Sequence, residues 1–258
     1  MSWQKSLELA RFGLARKLAA LVLSPAMVML ASLSIPQAAK SLEFNTSGSE
    51  VGQPGLTVGG GVRGLYCSIR GDDLKGLVPG QNQELVGKTV SKTPTLYWYI
   101  PEISKEDEES PVAAKTGELL VLDEKGNEVY FAEFPLPASP AIIKHEIPAS
   151  AGLEEGKKYK WLMAIVCNPD DLSSNEAVVG ELRVVGEEPT LENALASAKT
   201  ALEQAEAYAQ AQIWHDTVDS LAKERNKYKE EWEELLASVG LPIEIARVEV
   251  VDCCEVEE

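Results

Sequence analysis

Residues 165–175, IVCNPDDLSSN, bring together the residue types that most often do chemistry: a cysteine at the end of an apolar run, then carboxylates, hydroxyls and amides. Three chemistries fit those types. A nucleophilic Cys167 needs a base within reach and a lowered thiol pKa. The chain offers only His145 and His215 as imidazole bases, and the carboxylates following Cys167 would raise its pKa. A calcium loop needs spaced oxygens. Asn168, Asp170, Asp171, Ser173 and Asn175 supply them, but no glycine stands at the sharp turn such a loop makes. Asp170 and Asp171 are therefore weak metal candidates. The third chemistry is a crosslink, and it is the reading we favour. The loop is an Asx-Pro turn whose side chains bond local amides, and Cys167 is half of a disulfide with Cys67.

The cysteines are Cys67, Cys167, Cys253 and Cys254. Four cysteines allow three pairings. Cys253 and Cys254 are adjacent and flanked by Asp252 and Glu255, which disfavours a thiolate and with it redox catalysis. A vicinal disulfide, a metal-thiolate site and crossed pairing with the other two cysteines all stay open. His145 shares a strand face with Ile143 and Ile147 and reads as a half-buried structural residue; His215 reads as helix packing. Gly59, Gly61 and Gly64 spell G-x-G-x-x-G, but a polar stretch precedes them and a strand-like one follows. The strand-then-helix setting of a nucleotide loop is thus missing. There is no G-x-S-x-G and no pair of histidines at metal-binding spacing. No catalytic residue, cofactor or nucleotide is expected. With 24 basic against 41 acidic residues and a net charge of −17, nucleic acid is a poor partner, because phosphate binding needs basic clusters.

The elements that position these residues follow from periodicity. Residues 1–39 hold a basic lead (Lys5, Arg11, Arg16, Lys17), an almost wholly apolar run over 18–33 and small residues at 36–39. This pattern predicts a cleaved secretory signal; an uncleaved membrane anchor is the less favoured alternative. Export to the periplasm or beyond would place the cysteines where disulfides persist. Residues 40–61, rich in Gly, Ser and Thr, read as a flexible linker.

From 62 to 186 short alternating runs predict strands near Cys67 and over 95–100, 117–122, 128–134, 141–147, 158–167 and 178–185. Asp123 to Asn127 is a hairpin turn, and the acidic run 106–109 is a solvated hairpin tip. In 153–161, Leu153, Gly156 and Tyr159 resemble the tyrosine corner of immunoglobulin-like sandwiches. Alternation puts Tyr159, Trp161, Met163 and Ile165 on the core face. In 95–100 it sends Leu96, Trp98 and Ile100 inward, and Tyr97 and Tyr99 outward. That outward pair is the candidate binding surface. It is either a stacking platform for sugars or, as we favour, a face covered by the helices that follow.

After Pro189, Leu191, Leu195, Ala198, Leu202, Ala205 and Ala209 recur at helical spacing, with Thr190 as the expected cap. Further helices are expected over 214–225 and 229–238, stopped by Gly240 and Pro242. Residues 208–218 resemble the turn of one tetratricopeptide unit, with Gln212 where a glycine is usual. A single unit cannot stand alone. The region 187–241 is therefore expected to pack on the strands, and 242–258 to form a last strand over 243–251 and an acidic tail. The expected fold is mixed and mainly β: an immunoglobulin-like antiparallel sandwich followed by a tetratricopeptide-like helical hairpin.

Several segments in order carry a family resemblance: Arg63-Gly64-x-x-Cys67, Leu77-Val78-Pro79, residues 94–101 (PTLYWYIP), Gly156-Lys157-x-Tyr159-x-Trp161, Cys167-Asn168-Pro169-Asp170-x-x-Ser173-x-Asn175, and Ile213-Trp214-His215-Asp216 through residues 235–241. Over about 62–245 the chain resembles a cyanobacterial exported family known only as a domain of unknown function, number 928. It departs from the family at Leu172, where an Arg is common, and at His215, where a Tyr is usual. The resemblance implies export and a two-part fold, and no activity. The expectation for function is a non-catalytic periplasmic or envelope module that binds a protein partner of the envelope. A polysaccharide-binding sandwich using Tyr97 and Tyr99 is the alternative.

Overall fold

Alternating apolar residues build two main sheets, seen in a computed structural model that describes residues 42–45, 69–70, 73–81, 84–103, 115–170 and 175–253. These residues belong to one compact unit, Lys40–Glu258. The expected targeting segment, most of the expected linker with its glycine motif, the acidic run 106–109, and Cys67, Asp171 and Cys254 lie outside them.

The larger sheet centres on β10 (Lys158–Val166), which pairs antiparallel with β7 (Thr116–Leu122) and β11 (Glu176–Val184). Outside β7 runs β8 (Glu128–Pro135), and outside β11 run β4 (Glu84–Thr89) and β3 (Gly80–Gln81). The smaller sheet has the order β12 (Val250–Asp252), β9 (Ala141–Glu146), β5 (Thr95–Ile100), β2 (Lys75–Gly76). A separate ribbon pairs β1 (Ile69–Arg70) with β6 (Glu102–Ile103). The expected strands over 95–100, 117–122, 128–134, 141–147, 158–167 and 178–185 are present. The sheets are not wholly antiparallel as expected, since β4 runs parallel to β11 and β12 parallel to β9.

The β7–β8 hairpin turns where the sequence predicted. The Asp123 carboxylate accepts the amides of Lys125 and Asn127 at 2.8 Å each, and Gly126 takes the left-handed conformation with φ 82°. Along β10, Tyr159, Trp161, Met163 and Ile165 are buried, as alternation requires. Trp161 meets Trp98 of β5 edge to face, with ring centroids 5.8 Å apart, so the two sheets share one core. The Tyr159 hydroxyl accepts the Glu154 amide at 2.9 Å, which ties the preceding loop to the start of β10.

The C-terminal region is helical: α1 (Pro189–Ser197), α2 (Ala201–Gln210), α3 (Trp214–Ala222), α4 (Lys229–Ser238) and the short α5 (Ile243–Ala246). The run expected as one helix from Leu191 to Ala209 is broken after Ala198. Thr200 restarts it as a capping box with Glu203: the hydroxyl takes the Glu203 amide and the carboxylate returns to the Thr200 amide. Thr190 is not the cap of α1, which begins with Pro189 at its first position and Glu188 before it. Gln212, in the turn to α3, adopts φ 59°, the left-handed geometry that a glycine would take without cost. Gly240 ends α4 with φ 83°, its amide on the Ala237 carbonyl and the Leu241 amide on that of Leu236. The single strand expected over 243–251 is instead α5 followed by β12.

The helices enter the same core as the sheets. The Trp214 indole donates to the Leu77 carbonyl at 2.6 Å, and the Trp232 indole to that of Ala246 at 3.0 Å. Residues 42–45 lie against this region, which corrects the flexible reading for those four. Leu42 and Phe44 are buried, their amides bond Glu234 and Ser238, and Phe44 stacks edge-on against Trp214 at 4.8 Å.

Candidate functional site

Among the described residues, those that the sequence singled out do not converge on one site. Cys167 is fully buried at the end of β10, where its amide donates to the Asn175 side chain at 3.1 Å and closes the loop. Asp170 is exposed, and its amide donates to the Asn168 side chain in an Asx turn. Among the described residues no group of three His, Cys, Asp or Glu side chains is placed to hold a metal ion. Neither described cysteine, Cys167 or Cys253, is a free thiol; both are disulfide-bonded.

Tyr97 and Tyr99 are 2% and 7% exposed. They lie on the face opposite Trp98, as alternation predicted, and both are buried there. The Tyr97 hydroxyl donates to Asp219 of α3 at 2.9 Å. The open stacking platform considered for these two rings is therefore closed, because the helices use the same face to bury their own apolar side.

α3 also carries polar groups against β4 of the larger sheet. Asp216 accepts the Val90 amide at 3.2 Å. Burial raises its carboxyl to about 6, against the hydrogen bonds from Thr89 and Val90, which oppose the rise. Its neighbour His215 is buried with Nε2 lacking a hydrogen-bond partner among the described residues, and desolvation lowers it to about 3. The ring fits because Gly87 of β4 has no side chain: a Cβ there would stand 2.1 Å from Nε2.

A second arrangement joins both sheets. Tyr130 of β8, His145 of β9 and Cys253, which follows β12, meet where one edge of the larger sheet faces the edge of the smaller. His145 Nε2 lies 2.7 Å from the Tyr130 hydroxyl oxygen, and Nδ1 lies 3.1 Å from the Cys253 sulfur. A disulfide sulfur can only accept a hydrogen bond. Nδ1 therefore carries the proton, and Nε2 accepts from the Tyr130 hydroxyl. The ring packs against Phe134, with centroids 5.8 Å apart. Burial lowers the His145 pKa, with Asp252 opposing, which keeps the imidazole neutral.

The Cys253 amide continues the strand pairing onto the Lys144 carbonyl at 3.2 Å, and a Lys144–Asp252 ion pair of 3.0 Å flanks it. Beside the ring is a cavity of about 220 Å³ lined by Thr95, Tyr130, Lys144, His145, Glu146 and Asp252. The sequence reading gave His145 as a half-buried structural residue; it is buried, and the sequence could not supply its partners. Tyr130 and Cys253 reach it from strands 15 and 108 residues away.

On the other face of β8, Phe131 is 48% exposed. β8 ends the strand order of the larger sheet, so among the described residues its outer edge has no neighbouring strand.

The model of a family described as Domain of Unknown Function (DUF928) matches residues 58–250. No curated protein matches the chain.

Proposed function

The chain belongs to the DUF928 family, whose description attaches no activity, and from that premise we propose that it is a non-catalytic module that binds a protein partner along the edge of β8. The observation carrying this reading is Phe131, a large aromatic side chain half open to solvent on an outermost strand. An outer strand offers backbone donors and acceptors to an extended segment of another protein, and a neighbouring side chain sets which segment fits. Glu128 and Glu133 on the same strand are exposed and favour a segment with basic residues around an apolar one. The partner is taken to be an envelope protein. A photo-crosslinking side chain at position 131 should trap one partner from the envelope fraction, and Phe131→Asp should abolish binding of that purified partner. Undiminished binding by Phe131→Asp would rule the reading out.

The finer architecture and the setting belong to the same proposal. We read the sheets as an immunoglobulin-like sandwich, supported by the bond from the Glu154 amide to the Tyr159 hydroxyl. The helices are read as one tetratricopeptide-like unit, supported by the left-handed Gln212. The chain is read as exported, supported by the basic lead and apolar run of residues 1–39. N-terminal sequencing of the envelope protein should begin between about Ser34 and Ser41; an intact Met1 on cytoplasmic protein would refute export. The favoured pairing joins Cys67 to Cys167 and leaves Cys253 to Cys254, and non-reducing peptide mapping that recovers any other pairing would overturn it.

A further inference from the structure

We infer that the helical region carries a second binding groove, distinct from the β8 edge, which takes an extended protein segment of the pattern Leu-basic-Phe and is filled in cis by residues 42–45. Burial alternates along these four residues, with Leu42 and Phe44 buried and Glu43 and Asn45 exposed, as it does along an extended chain. Helical side chains grip the backbone of this segment. The Leu42 amide donates to Glu234 at 3.2 Å and the Phe44 amide to Ser238 at 3.0 Å, both on α4. The Gln212 side chain, in the turn before α3, donates to the Asn45 carbonyl at 3.1 Å. Phe44 is the anchor, edge-on to Trp214 of α3 at 4.8 Å. A groove recognises an extended peptide in this way: it holds the backbone in register and gives alternate side chains a place to bury.

The segment does not fill the space beside it. A cavity of about 320 Å³ separates it from α2, with Leu42, Glu43 and Asn45 on one side and Glu206, Ala209 and Gln210 on the other. Among the described residues lining this cavity none is basic, and two are carboxylates. Glu43, the outward residue between the two anchors, thus faces the same space as Glu206. The chain's own segment matches the groove in shape and in backbone contacts but not in charge, since like charges about one cavity repel. A segment with Lys or Arg in the place of Glu43 keeps both anchors and every backbone contact, and meets Glu206 with the opposite sign. A second copy of this chain offers only the same acidic segment, so the occupant that fits is a basic segment of another protein. The chain's own segment holds its place by tethering. Joined to β1 through residues 46–68, it is presented to the groove at an effective concentration on the order of millimolar.

The test uses the full-length protein carrying Phe44→Ser, which removes the anchor of the cis segment, and two fluorescent peptides: residues 41–46 (SLEFNT) and the same peptide with Glu43→Lys. Anisotropy should show both binding the variant. The Glu43→Lys peptide should bind about fivefold more tightly at low salt, with the advantage lost at about 1 M salt and lost also when Glu206→Gln is added to the variant. Wild type should bind each peptide at least about tenfold more weakly, because its own segment competes. A photo-crosslinking side chain at the position of Glu43 in the peptide should attach to residues 206–212. It should do so on the variant and, at about millimolar peptide, on wild type, so the outcome does not depend on how well the variant folds. Equal binding of the two peptides, or tighter binding of the acidic one, would overturn the basic partner segment. Wild type that gives no crosslink to residues 206–212 would overturn the groove itself.

Discussion

Two adjacent side chains of α3 titrate in opposite senses, and the difference is measurable. The Asp216 carboxyl is raised from 3.8 to about 6. The folded protein therefore holds that proton more tightly than the unfolded chain does. The stabilisation is complete below about pH 4 and is lost as pH rises through about 6. His215 is lowered from 6.5 to about 3. Its neutral ring contributes above about pH 6.5, and that contribution is lost as pH falls. Between about pH 4 and 6 the two slopes offset each other. Asp216→Asn keeps an acceptor for the Val90 amide and removes the charge. It should be more stable than the parent by about 3 kcal/mol at pH 8, with the difference vanishing by about pH 4. Its own stability should fall more steeply with acid, because only the His215 loss remains. Parallel curves of urea-unfolding free energy against pH would disprove this account.

At the scale of elements, the contact that matters most is α3 on β5. It joins Tyr97 to Asp219, while against β4 the same helix seats His215 in the space left by Gly87. Asp219 also pairs with Lys223 one turn on. The acceptor is therefore charged, and a hydrogen bond to a charged group contributes more than a neutral one. Tyr97→Phe should lower stability by about 1–2 kcal/mol. Changing both Tyr97 and Tyr99 to Ser should cost at least about 2 kcal/mol, since it empties space beneath the helix. Chemical denaturation checks both, and a double variant with an unaltered midpoint would show that α3 does not depend on this face.

At the scale of the whole molecule, sheets and helices share one core instead of forming two bodies on a linker. α1 to α4 have 9 or 10 residues each, below the length at which isolated helices persist in water. Their largest apolar side chains, Trp214, Trp232, Leu221, Leu235 and Leu236, are buried, and the Trp214 indole bonds a carbonyl near the smaller sheet. A fragment of residues 189–241 should therefore be partly helical and melt without cooperativity by circular dichroism. A sharp, cooperative transition would show that the helices fold without the sheets. The same sharing of the core explains why residues 42–45, composed like a linker, are held in place: Leu42 and Phe44 are buried, and Phe44 packs edge-on against Trp214.

What the sequence by itself determined is what short range encodes. Period-two alternation located β5 and β10 and separated Trp98 from Tyr97 and Tyr99 by face. Asp123, Gly126 and Asn127 specified a hairpin, since a turn needs only its own residues to satisfy its amides. Gly240 ended α4 for the same local reason. Tertiary structure alone decided what lies across from each face. Both faces of β5 are apolar, so alternation could not say whether the tyrosine face meets a ligand or a helix; an apolar stripe 120 residues further along the chain settles that. β4 was missed because Gly87 interrupts its apolar pattern, and that glycine is there to admit His215 from α3. The 243–251 segment alternates like a strand but begins as α5, whose Ile245 and Ala246 turn into the core where Trp232 bonds the Ala246 carbonyl. The line of Tyr130, His145 and Cys253 was invisible for a related reason: each residue is ordinary in its own strand, and only the meeting of two sheet edges makes them neighbours.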